Sequence, residues 1–166
     1  NDRPSAFRYP RGNGIGTDLP TINEKIDIGK GRIISEGKKI ALLNFGTRLN
    51  ECLLAKESLS KKGINITLID ARFAKPLDEN LIWQISTDHE ALITIEEGSI
   101  GGFGSHVAQF LSEKNLLDGN LKYRSMILPD RFIDHDKPDL MYKYAGLDAL
   151  SIESKIESQF IDMLEE

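Results

Sequence analysis

Some stretches of this sequence gather residue types that could do chemistry. The first is Glu96-Glu97-Gly98-Ser99-Ile100-Gly101-Gly102-Phe103-Gly104-Ser105, a glycine-rich run ahead of an apolar helical pattern. A turn of this kind between strand and helix can cradle a phosphate, because free amides and the helix dipole both point at the ligand. The dinucleotide fingerprint, however, spaces its glycines as GxGxxG, with an acid about 20 residues further on. Here the glycines are Gly98, Gly101, Gly102 and Gly104, and two glutamates precede them whose charge opposes an incoming anion. No GxxxxGK[ST] run occurs either. The turn is therefore read as close packing of helix on strand or on a partner chain, with Glu96, Gly101, Gly102 and Gly104 as structural or interface residues.

A second stretch, Arg8-Tyr9-Pro10-Arg11-Gly12-Asn13-Gly14, sets two arginines beside a glycine-rich loop. That suits an anion, since a guanidinium presents a planar fork to two phosphate oxygens. By spacing alone, a solvated connector arginine is the commoner outcome. The third stretch, Asp130-Arg131-Phe132-Ile133-Asp134-His135-Asp136, could make a metal or acid–base site, against which stands a salt-bridged loop as the plainer reading. His89, His106 and His135 lie 17 and 29 residues apart, with no i, i+4 pairing for a metal. No Ser/His/Asp or Cys/His arrangement has a diagnostic local pattern. No catalytic residue and no metal ligand is assigned in this chain.

The bulk numbers narrow the partners. Lys plus Arg is 21 against 26 Asp plus Glu, a net charge of −5, so nothing draws the chain to a nucleic-acid backbone. The one cysteine, Cys52, excludes an internal disulfide and a CxxC metal site, which fits a reducing cytosol, and the expected compartment is cytoplasmic. No apolar run approaches the roughly 20 residues that span a bilayer, so no membrane partner is expected. The chain opens on Asn1 rather than Met and is expected to be a fragment or processed piece.

The elements that must position these stretches follow from periodicity. Residues 1–38 are broken by Pro4, Pro10, Pro20 and six glycines, with short extended pieces at 6–9 and 32–35, and read as a connector. From Lys39 the pattern alternates. Residues 40–44 form an apolar run of the kind a strand buried on both faces shows. Thr47 is placed to cap a helix with Leu49, Cys52, Leu53 and Leu59 on one face, ended by Gly63. Residues 64–69 read as a second strand. Pro76 opens a helix with Leu77, Leu81, Ile82 and Ile85 facing inward and Asp78 and Glu79 near its positive end. Further strands are expected at 91–95 and 123–128, with the helix carrying Val107, Phe110 and Leu111 between them. A last helix from about Leu150 carries Ile152, Ile156, Phe160, Met163 and Leu164. Strand and helix in alternation predict an α/β fold, a mainly parallel sheet flanked by helices on both faces.

Taken together, Phe7-Arg8-Tyr9-Pro10-Arg11-Gly12-Asn13-Gly14, Ile28-Gly29-Lys30-Gly31, Leu43-Asn44-Phe45-Gly46-Thr47, Asp70-Ala71-Arg72-Phe73-Ala74-Lys75-Pro76-Leu77-Asp78, Thr94-Ile95-Glu96-Glu97-Gly98, Gly101-Gly102-Phe103-Gly104-Ser105, Leu128-Pro129-Asp130-Arg131-Phe132-Ile133 and Ala145-Gly146-Leu147-Asp148 resemble, in order, the thiamine-diphosphate enzymes of the transketolase type. The Arg-Tyr-Pro-Arg-Gly and Leu-Pro-Asp-Arg-Phe-Ile runs resemble the deoxyxylulose-phosphate synthases among them. The resemblance implies that 1–38 holds the end of a pyrimidine-binding domain plus the connector, and that 39–166 is the transketolase-like C-terminal domain. It implies a transferase that condenses pyruvate with glyceraldehyde 3-phosphate and releases CO2, giving 1-deoxy-D-xylulose 5-phosphate for isoprenoid, thiamine and pyridoxal biosynthesis. Thiamine diphosphate and Mg²⁺ would be held by N-terminal and middle domains absent from this chain, which contains no GDG…N run. This chain alone would be inactive, serving as scaffold and contributing to a homodimer. One site residue carries over: Arg11 matches the arginine that holds the phosphate of glyceraldehyde 3-phosphate. Transketolase itself, or the acyltransferase-docking module of a 2-oxoacid dehydrogenase β-subunit, is the alternative.

Overall fold

The computed structural model describes residues 25–164, with Pro4 and Gly16 besides, and side chains as far as Phe160. Arg8 and Arg11 lie outside the described residues. The element order is β1 (Arg32–Ser35), β2 (Lys38–Phe45), α1 (Leu49–Lys61), β3 (Ile66–Asp70), α2 (Glu79–Asp88), β4 (Ala91–Glu96), α3 (Phe103–Glu113), β5 (Lys122–Met126), α4 (Pro138–Ala145) and α5 (Ala149–Leu164). The five strands form one sheet in the order β1-β3-β2-β4-β5. β2, β3, β4 and β5 run parallel, and β1 pairs antiparallel with β3. The α/β expectation with a mainly parallel sheet holds.

Alternation along the strands divides the core into two layers. On one face Ile40, Leu42, Leu68, Ile93 and Ile95 pack under Cys52, Ala55 and Leu59 of α1 and Ile152, Ile156 and Phe160 of α5. On the other, Ala41, Leu43, Ile69 and Leu92 pack under Ile82 and Ile85 of α2 and Val107, Phe110 and Leu111 of α3. Both faces being covered, each central strand reads as an unbroken apolar run, as a buried parallel strand must. α1 ends as the sequence implies: Gly63 takes a positive φ of 84°, and Ile64 N–H closes back on the Leu59 carbonyl at 3.0 Å. No helix of the described residues is long and apolar enough to cross a membrane.

The structure also departs from the sequence reading. Residues 32–35, expected within the connector, form β1 of this same sheet, with Arg32 opposite Asp70 and bonded to it at 3.2 Å. Helix α4 was not anticipated, because it fully buries none of its residues and meets the core only through the half-buried Tyr142 and Ala145. β5 stops at Met126, short of Leu128. Leu53, expected on the inner face of α1, is exposed, and Ala55 takes the inward position. Pro76 precedes α2 without opening it; the cap is Asp78, whose carboxylate accepts from the Leu81 amide at 3.3 Å.

Asp78 does more than cap. Its other oxygen accepts from the Gly31 amide at 3.1 Å, and Lys30 Nζ lies 3.2 Å from Oδ1. One carboxylate thus ties the incoming chain to the start of α2, at the end of the sheet where β3 finishes. Asp78→Ala should therefore cost more than an average cap, roughly 1–3 kcal/mol. Denaturant titration would show this, and amide exchange at residues 30–33 should accelerate with it. An unchanged midpoint would mean that solvent replaces both bonds.

Candidate functional site at the carboxyl edge of the sheet

The parallel strands end together, and the turns after β2, β4 and β5 meet at one edge, where ligand sites of open α/β sheets generally lie. Strand alternation sends the last residue of β4, Glu96, inward, and it is only 4% exposed. Its Oε2 accepts from the Phe103 amide at 2.9 Å and its Oε1 from the Gly104 amide at 2.8 Å. These are first-turn amides of α3, the groups that a phosphate would otherwise occupy. The anion of this turn is therefore supplied by the protein itself. The expected reason, charge repulsion, gives way to a steric and stoichiometric one: the donors are already in use.

The glycines make room for that carboxylate. A Cβ at Gly102 would stand 2.5 Å from Glu96 Oε2, and one at Gly98 2.3 Å from it. A Cβ at Gly104 would meet Thr94 Oγ1 at 2.8 Å, and Gly101 adopts a φ of +94° that a side chain strains. Behind Gly104, the Tyr123 hydroxyl donates to the Gly104 carbonyl at 2.6 Å. Its single proton being so committed, Thr94 Oγ1, 2.9 Å away, donates to it. Burial pushes the Tyr123 phenol up to about 12, with the Thr94 hydrogen bond pulling the other way.

Glu97, the next residue, turns outward into a second cluster. Its Oε1 lies 2.8 Å from Arg48 Nε and accepts from the Thr47 hydroxyl. Thr47, expected as the cap of α1, is thus a partner of Glu97, and α1 has no side-chain cap. The Arg48 guanidinium lies 3.6 Å from the ring centroid of Tyr142 on α4. The Tyr142 phenol is pushed up, by burial first and then by its hydrogen bond to Glu97. Arg48 and Tyr142 were not singled out from sequence, and Thr47 only as a cap: Arg48 sits in an ordinary turn and Tyr142 on the unforeseen helix. The doublet Glu96-Glu97 was the available signal, since neighbours at a strand end point to opposite sides.

The remaining candidates are dispersed. His89 is bonded through Nδ1 to the Ile85 carbonyl at 2.9 Å and through Nε2 to Thr67 at 2.7 Å, a helix-end packing role. His106 lines a shallow cleft beside Lys75 and Gln109. The 130–136 loop borders a cavity of about 460 Å³ with Tyr144, and Arg131 donates to the Tyr144 carbonyl at 3.0 Å. It is not a salt-bridged loop, for Asp130, Asp134 and Asp136 form no ion pair with another described residue. Among the described residues no group of three or more His, Cys, Asp or Glu is placed to hold a metal. The edge does not fit a diphosphate, because Glu96 holds the amides that would bind it.

The family profile described as transketolase, C-terminal domain, matches residues 29–152, which takes in β1 through the first turn of α5. This chain belongs to that family. Among solved structures, the domain is similar to one described as a split-gene transketolase, inactive beta4 tetramer, at 25% identity and a TM-score of 0.74, over 86% of this chain and 46% of that one. It is also similar to the transketolase of Campylobacter jejuni subsp. jejuni, at 15% identity and a TM-score of 0.58, over 79% of this chain and 19% of the other. The chain therefore spans under half the length of these transketolase neighbours.

The Glu96 arrangement makes a coupled expectation in this transketolase C-terminal domain. Gly102→Val should destabilise by about 1–3 kcal/mol through overpacking. In a Glu96→Ala background the same change should cost clearly less, because the clashing oxygen is gone. Strictly additive losses in a denaturation cycle would refute the contact. The Tyr123 phenol gives a pH dependence. Its raised value means that stability present below about 10 is lost as pH climbs toward about 12. Tyr123→Phe should flatten the alkaline limb of a melting-temperature profile over that window; an identical slope would show that the phenol ionises freely.

Proposed function

We propose that this chain is the C-terminal domain of a thiamine-diphosphate-dependent synthase that joins pyruvate to glyceraldehyde 3-phosphate, releases CO2 and forms 1-deoxy-D-xylulose 5-phosphate. The observation that carries the reading is the run Arg8-Tyr9-Pro10-Arg11-Gly12 upstream of a transketolase C-terminal domain, together with Leu128-Pro129-Asp130-Arg131-Phe132-Ile133 within it. An acceptor whose strong handle is a phosphate dianion requires a cation remote from the reacting carbonyl, and Arg11 is proposed for that task. The cofactor and Mg²⁺ belong to preceding domains of the same polypeptide, and the present domain is a scaffold that backs them and contributes to a homodimer in the bacterial cytoplasm. Alone it carries no activity.

A second reading, a transketolase, is favoured by the two structural neighbours, both described as transketolases. Donor use separates the two: the full-length synthase turns over pyruvate with loss of CO2, whereas a transketolase takes a two-carbon unit from a ketose phosphate. Within the first reading, Arg11→Ala should lower kcat/KM for glyceraldehyde 3-phosphate by about one to two powers of ten, the equivalent of roughly 1.5–3 kcal/mol. Use of unphosphorylated D-glyceraldehyde should be nearly unchanged, and Arg11→Lys should restore part of the loss, since an ammonium keeps the charge without the fork. Equal losses with both acceptors would make Arg11 a structural residue.

A further inference from the structure

A cavity of about 550 Å³ lies where β5 ends, between residues 125–127 and the solvent side of α5, with the α4–α5 turn, 145–148, completing its lining. That volume suits a small molecule, and the carboxyl end of a parallel strand is where such ligands sit in open α/β sheets. One wall is a row of donors. Ser151, Ser154 and Ser158 recur at three- and four-residue steps with Lys155 beside them, so a single strip of α5 brings hydroxyls and an ammonium to the cavity. Ser125 of β5 and Lys143 of α4 join the same lining. Neither lysine has an ion-pair partner among the described residues. The Ser151 and Ser154 hydroxyls are likewise unengaged there.

The one acid of the lining, Asp148, is engaged at the start of α5: its Oδ1 accepts from the Ser151 amide at 3.1 Å, and the dipole of the helix favours its charge there. The Ala149 amide is held by Glu51 at 2.9 Å. An anion would therefore be drawn by the side chains of the cavity and not by the first amides of the helix. We propose that this cavity binds a small phosphate monoester of a polyol, its phosphate held by Lys143 and Lys155 and its hydroxyls by Ser151 and Ser154. Two ammonium groups answer the two charges of the ester. Serine hydroxyls both give and accept a hydrogen bond, as the hydroxyls of a polyol do. Ile127 and Leu150, the latter 69% exposed, offer the carbon chain an apolar contact. The assignment does not depend on which reaction the whole enzyme performs.

The test titrates the 166-residue chain with D-ribose 5-phosphate at constant ionic strength and follows its amide chemical shifts. The shifts should saturate and concentrate at residues 125–127, 145–148 and 150–158, whereas D-ribose, which lacks the charge, should move them little. Lys143→Gln combined with Lys155→Gln should weaken binding about tenfold or more, since both charge-assisted contacts are lost. Ser151→Ala combined with Ser154→Ala should lower affinity several-fold. All four side chains lie outside the two apolar layers, so the variants keep the fold, and amide shifts away from the cavity report that they do. Lys61→Gln, on α1 with its side chain 75% exposed, is the control and should bind like the wild type. No saturable shift with millimolar ester, unchanged affinity in either double variant, or the same loss in Lys61→Gln would overturn the assignment. Sulfate binding as tightly as the ester would also overturn it, leaving an adventitious ion only.

Discussion

The contact between the Glu96 carboxylate and the first amides of α3 fixes the geometry around it. Buried acceptors and buried amides each cost free energy when unpaired, and here two of each are satisfied at once, with the helix dipole favouring the charge. For the carboxylate to reach, the turn must fold back over it, and that leaves no space for a Cβ at Gly98 or Gly102. The position of α3 then sets where Phe103 stacks on Phe45, 5.0 Å between centroids, and where Tyr123 can reach the Gly104 carbonyl. A turn with the composition of a phosphate loop is thereby converted into a joint between strand and helix.

Much of the architecture was legible because a parallel sheet covered on both sides imposes uninterrupted apolar strands, and residues 40–44 and 91–95 have no other reading in a chain of this length. Helix ends were legible where a glycine had to take a left-handed conformation, as at Gly63. What escaped was structure without burial. α4 has no fully buried residue, and β1 looked like connector because it lies at an edge, where Ile33 is partly exposed and Arg32 points to an ion pair. At the site, the charge of Glu96 was visible but its direction was not: a sequence displays an acid, while the pleat decides whether it faces solvent or an amide. The same blindness applied to Thr47, whose type suits a cap and whose hydroxyl is instead taken by Glu97 from 50 residues away.

Two glutamates side by side thus do unlike work. One is consumed within the domain and makes the turn inert toward anions; the other braces α4 through Arg48 and Tyr142. At the outer strand β5, which pairs parallel with β4, Arg124 Nη1 donates back to the Tyr123 carbonyl at 2.7 Å.

The two apolar layers are completed at different points along the chain. The layer under α2 and α3 has its last buried member at Leu111, whereas the layer under α1 waits for Ile152, Ile156 and Phe160 of α5. A chain emerging from the ribosome can therefore complete one side of the sheet while Ile40, Leu42, Ile93 and Ile95 on the other have only α1 over them. Until the final helix arrives the nascent domain is a half-clad sheet, the form in which a polypeptide is most prone to wrong association. Completion of α5, rather than any event at the carboxyl edge, is the step that closes this second layer.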